Sequence, residues 1–122
     1  MMLWQQHDEF VAELKKICKK YPQVDDGVER IKRLLSAQFD PQSPEAVIAP
    51  GKIHRVRGDT TWVLWKVEVL VPKSGLRPNQ WPRMWFGVSG ETITLLAIAT
   101  HMQNYNNNAM DIQALKRLTD IL

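Results

Sequence analysis

Hydrophobic and polar positions follow three regimes along the 122-residue chain. In the first, Phe10, Val11, Leu14, Ile17, Cys18 and Tyr21 recur at the spacing of one helix face, and Lys15, Lys16, Lys19 and Lys20 turn away from it. The spacing predicts an amphipathic helix over 7–20. Pro22 ends it, and Val24, Val28, Ile31, Leu34, Leu35 and Phe39 renew the same period until Pro41 and Pro44 stop it. The link around 21–25 is short enough to make the two helices antiparallel neighbours.

The period then changes. After a loop over 40–51, Val63, Trp65, Val67, Val69 and Val71 fall on one side of a strand, and Trp62, Leu64, Lys66, Glu68 and Leu70 on the other. A second strand is expected over 83–88. Ser89-Gly90-Glu91 turns it into a third over 92–100, whose unbroken apolar run reads as a strand covered on both faces. The stretch 53–57 carries a weaker pattern and adds a short edge strand. In the third regime Asn106, Asn107 and Asn108 supply turn and N-cap chemistry, and Ala109, Ile112, Leu115, Leu118 and Leu122 share one helical face. The expected fold is α+β: an N-terminal helical hairpin, a twisted antiparallel sheet of three to four strands and a C-terminal helix, with the helices on one sheet face.

Composition narrows the class. At 44% hydrophobic and 24% charged residues the chain should fold, as one domain over 1–122, and is neither disordered, collagen-like nor a coiled-coil rod. The first ten residues lack the basic start and apolar run of a signal peptide, and the 93–99 apolar run is far short of the roughly 20 residues that cross a bilayer. The single cysteine, Cys18, excludes an intramolecular disulfide and a multi-cysteine zinc site, and lies in the first helix's apolar stripe. A cytoplasmic protein is expected. The net charge of +3 is unevenly placed: 1–46 is close to neutral, whereas 47–90 carries Lys52, Arg55, Arg57, Lys66, Lys73, Arg77 and Arg83 against only Asp59 and Glu68. A polyanion or an acidic protein segment is the natural partner of such a segment.

No glycine-rich phosphate loop, His-Glu-x-x-His helix or Gly-x-Ser-x-Gly elbow occurs, and His7, His54 and His101 lack metal-ligand spacing. No metal or cofactor is expected. What remains is an order of elements: a helical hairpin, then Leu64-Trp65-Lys66-Val67-Glu68-Val69, Pro82-Arg83-Met84-Trp85-Phe86, Ile93-Thr94-Leu95-Leu96-Ala97-Ile98 and Thr100-His101-Met102-Gln103-Asn104-Tyr105. In that order the chain resembles the RelE/HigB superfamily of bacterial toxin–antitoxin toxins.

The resemblance implies a metal-independent endoribonuclease that cleaves mRNA, usually in the ribosome, and is neutralised by a cognate antitoxin. The RNA 2′-hydroxyl attacks its own phosphate, which needs cations at the phosphate and proton carriers beside it. Arg83 matches the family's second-strand arginine and Lys66 its first-strand lysine. His101 falls where the family places basic or histidine residues, and Tyr105 matches its tail tyrosine, which stacks on a base or donates a proton. Lys52, Arg55, Arg57, Lys73 and Arg77 are the remaining candidates for contact with RNA or antitoxin. Plainer readings stand beside these: Arg83 paired with Glu68, and Lys66 as a solvated strand lysine. Glu68 replaces a basic residue of many relatives, and the doubled basic residue after the third strand is missing. Both departures favour an alternative, a non-catalytic binding module such as a ParE-type gyrase inhibitor or an inactive toxin-like protein. Trp62, Trp65, Trp81 and Trp85 suit base stacking or burial, and burial is favoured because Trp65 lies on the apolar side of its strand.

Overall fold

A computed structural model describes residues 2–100 and 106–121. The elements follow in the order β1 (Leu3–Gln6), α1 (Asp8–Lys20), α2 (Gln23–Gln38), β2 (Ile53–Gly58), β3 (Val63–Glu68), β4 (Arg83–Ser89), β5 (Thr92–Ala99) and α3 (Asn107–Ile121). The fold is α+β, with a helical hairpin before the antiparallel strands and a helix after them, as the periodicity predicts. The strands form one sheet in the order β1-β5-β4-β3-β2.

Two features of the sheet depart from expectation. The first is β1, which pairs in parallel with β5 from Leu3↔Thr92 to Gln6↔Leu95 and makes the sheet mixed. The unbroken apolar run of β5 thereby becomes a central strand, flanked by β1 and β4 and covered above and below. The second is that helices cover both faces rather than one. Phe10, Ile17, Val24, Val28, Ile31 and Leu35 of the hairpin pack on Val67, Met84, Phe86, Ile93, Leu95 and Ile98. On the opposite face, Ala114 and Leu118 of α3 pack on Leu64, Trp85, Leu96, Ala97 and Ala99. Leu118 comes so close that a Cβ added at Gly87 would lie 2.8 Å from its Cδ1. Glycine at 87 is what lets α3 settle on β4.

The strand expected over 62–71 stops at Glu68, although Val69 and Val71 stay fully or nearly fully buried in the first core. Val69 N–H still donates to the Pro82 carbonyl at 2.8 Å. Beyond it, α2 presses on the chain: a Cβ at Gly27 would meet Val71 Cγ1 at 2.6 Å and the Leu70 carbonyl oxygen at 3.1 Å. The end of α2 is fixed by aromatic rings, Phe39 standing edge-on to Trp65 at 5.2 Å and to Phe86 at 5.8 Å between centroids. Asn106 caps α3, its Oδ1 accepting the Ala109 N–H at 3.1 Å, as the asparagine run predicts. No helix among the described residues is long and apolar enough to cross a membrane.

Candidate functional site

Residues opposite one another in an antiparallel pair share a face, so register decides which candidates meet. His54, Lys66 and Trp85 are consecutive register partners across β2, β3 and β4, and Glu68 faces Arg83 two pairs further on, on the same side of the sheet. Trp85 belongs to the core beneath α3. Lys66 and Arg83 therefore stand on the α3 face, as a shared phosphate site requires.

A bulge divides the basic residues of β2. The register steps from Arg55↔Trp65 to Arg57↔Leu64, leaving Val56 as the extra residue. Arg57 joins Leu64 on the α3 face. Arg55, opposite Trp65, is directed to the hairpin face, and it is Arg57 that strict alternation would have misplaced there. Lys52 and Glu68 form a 2.8 Å ion pair at the start of β2, which gives Glu68 a basic partner other than Arg83. The plainer reading of Arg83, an ion pair with Glu68, is thus replaced. Arg83 Nη1 instead donates to Asn107 Oδ1 at 3.2 Å, at the first residue of α3. Lys73 and Arg77 are exposed in the 69–82 connection, with Lys73 in the left-handed region at φ 64°.

The centre of the face is occupied by α3. Asp111 Oδ1 accepts the Trp85 indole N–H at 2.7 Å, and Lys66 Nζ lies 3.5 Å from both Asp111 oxygens. The Lys66 and Asp111 side chains are 17% and 23% exposed, so Lys66 is not the solvated strand lysine of the plainer reading. Asp111 also lines an open groove of about 130 Å³ with Val56, Arg57, Leu64, Ile112 and Leu115. His101 and Tyr105 lie outside the described residues. In register, Arg83 faces Ala99, two positions before His101 in the chain.

Sequence reasoning missed Asp111 and Asn107. Their spacing of four puts them on one side of a helix, but nothing in the sequence brings that helix to strands some 24 to 45 positions away. The tryptophan rings are packed into the fold rather than presented for base stacking: Trp85 is fully buried, Trp65 packs on Phe39, Trp62 flanks the second core, and Trp81 Nε1 donates to the Leu76 carbonyl at 3.3 Å. Cys18 sits at the edge of the first core, where burial chiefly, and the nearby Asp25 charge, push its thiol pKa up. That shift opposes nucleophilic use. No group of three or more His, Cys, Asp and Glu side chains among the described residues is placed to hold a metal ion. Comparison of the chain with protein-family models, with curated proteins and with solved structures gives no match.

Proposed function

We propose that the protein is a cytoplasmic, metal-independent endoribonuclease of the RelE/HigB toxin kind, which cleaves mRNA, in association with the ribosome, and is held inactive by a cognate antitoxin. The observation that carries the reading is the placement of Arg83 and Lys66 on one sheet face, diagonal neighbours across β3 and β4. Diagonal positions lie about 7–8 Å apart, a span that two long cationic side chains close around one phosphate. Arg57 extends the positive line along the groove beside Asp111.

In the reaction, the 2′-oxygen bonds to the adjacent phosphorus and the bond to the 5′-oxygen breaks. The proton leaving the 2′-hydroxyl goes to a base, and an acid protonates the departing 5′-oxygen. Arg83 stabilises the charge that develops on the non-bridging oxygens. His101 and Tyr105 take the proton-transfer roles on the strength of the resemblance alone. The products are a 2′,3′-cyclic phosphate and a 5′-hydroxyl. The test is incubation of the protein with mRNA, with and without ribosomes, in EDTA, followed by analysis of the RNA ends. Cleavage with cyclic or 3′-phosphate ends supports the proposal.

The Lys66–Asp111 pair favours the second reading, a non-catalytic binding module, because it neutralises one of the two cations. Such a module leaves every RNA intact, and its affinity falls with salt as phosphate-bound counterions are exchanged.

A further inference from the structure

We propose that Lys66, Trp85 and Arg83 form a phosphate subsite that Asp111 holds closed, its carboxylate standing where phosphate oxygens bind. The inference rests on the reading of this face as RNA-binding and adds a competitor that the chain itself supplies.

The receptor is defined by what Asp111 satisfies. Trp85 is fully buried, and its indole N–H meets Asp111 Oδ1 at 2.7 Å. A buried N–H requires an acceptor, and an oxyanion is the strongest acceptor for it. Lys66 Nζ faces both carboxylate oxygens at 3.5 Å. Charge-assisted contacts settle at about 2.7–2.9 Å, so the ammonium is attracted here without being closely bonded. One N–H on one oxygen and one cation centred on two oxygens describe a site for a small oxyanion. A phosphodiester presents the same two non-bridging oxygens.

Asn107, one helical turn earlier, offers its neutral side-chain oxygen to Arg83 in the same way. The first turns of α3 thus fill the face with two polar side chains, one for each strand cation. The rest of the helix is anchored elsewhere, by buried Ala114, Arg117 and Leu118. In the proposed open state Asp111 takes another rotamer and vacates the subsite while α3 stays seated. The groove beside it, with Arg57 on its wall, gives a polyanion a route to the place that Asp111 leaves.

The apparent affinity of a site that is open only part of the time is its intrinsic affinity scaled by the open fraction. Removing the Asp111 charge should therefore tighten phosphate binding. The experiment follows the Trp85 indole N–H resonance, assigned by Trp85→Phe, in ¹⁵N-labelled protein titrated with inorganic phosphate. Asp111→Asn is expected to bind phosphate about tenfold tighter than the wild type, with a shift at the Trp85 indole that Lys66→Ala abolishes. Asp111→Ser carries the same expectation if the asparagine variant does not fold. Equal affinity in wild type and variant, or tightening that leaves the indole unmoved, overturns the proposal. The wild type supplies an independent arm: a saturating 2′-O-methyl oligonucleotide, which cannot be cleaved, must displace Asp111 and move the indole resonance, and binding without that shift also overturns it. Tightened phosphate binding with RNA left intact keeps the subsite and removes the nuclease. Cleaved RNA with no effect of Asp111→Asn on binding does the reverse.

Discussion

Arg117 and Glu13 join α3 to α1 around the part of β5 that β1 does not reach. Their side chains meet through two bonds, Nη1–Oε1 at 2.7 Å and Nη2–Oε2 at 3.1 Å. Pairing with β1 ends at Leu95, and the register of β4 with β5 steps over Leu96, the extra residue of a bulge. Arg117 Nη1 also donates to the Leu96 carbonyl at 2.8 Å, and Glu13 Oε1 accepts the Ile98 N–H at 3.3 Å. The ion pair thus serves backbone groups of β5 beyond the end of β1. Arg117 is buried, so Arg117→Met strands Glu13 and the Leu96 carbonyl together. A loss of about 3 kcal/mol is expected, read as a lowered urea midpoint with an unchanged slope. A midpoint like that of the wild type would show that the clamp contributes nothing.

Gly27 marks the closest approach of α2 to the chain beyond β3. With Val71 Cγ1 at 2.6 Å and a backbone oxygen at 3.1 Å from the added methyl, Gly27→Ala must displace the helix or the 69–71 segment. Overpacking of this kind costs about 1–3 kcal/mol, more than alanine's gain of up to about 1 kcal/mol in helix propensity. Calorimetry should show a lower melting temperature, and a raised one would contradict the packing described.

The β2–β3 turn is organised by Asp59. Its Oδ1 accepts the Thr61 N–H at 2.7 Å, the Thr61 hydroxyl at 2.7 Å and the Trp62 N–H at 3.1 Å. These bonds, the Thr61 N–H first, hold its carboxyl below the usual carboxylate pKa. A carboxyl depressed in the folded state stabilises the fold above its unfolded pKa, and that stabilisation is lost as pH falls through the folded value. Asp59→Ala should therefore be less stable than the wild type above about pH 5, with a gap that shrinks on further acidification. A gap that stays constant down to about pH 2 would separate Asp59 from the turn's stability.

Much of the fold is legible because period alone specifies it. The stripes of 7–39 give α1 and α2, and the alternation from Val63 gives β3 with Lys66 on the side opposite Val67. Leu3–Gln6 is not legible, since four residues with an exposed Leu3 show no alternation, and their strand form comes from the parallel edge of β5. The face chosen by α3 is equally hidden in its own stripe. A clue lay in β5, whose apolar residues must be covered from both sides, which one helical layer cannot do. For the site, Lys66 and Arg83 follow from strand parity. The separation of Arg55 from Arg57 does not, because a bulge at Val56 resets the parity. Asp111 was beyond reach because its partners are brought to it by tertiary packing.

Arg83 is the residue on which the proposed cleavage depends most directly. In the proposed reaction its guanidinium meets the phosphate beside Lys66, and losing one fixed donor to a developing oxyanion slows a reaction about 100-fold to 1,000-fold. The decisive measurement is the single-turnover rate of mRNA cleavage by wild type and Arg83→Ala, on ribosomes and in EDTA, with the melting temperature of both recorded. Cyclic or 3′-phosphate ends are expected from the wild type, with a rate reduced by that factor in a variant that melts like the parent. Intact RNA under every condition, or an Arg83→Ala rate equal to the wild type's, would contradict the proposed cleavage.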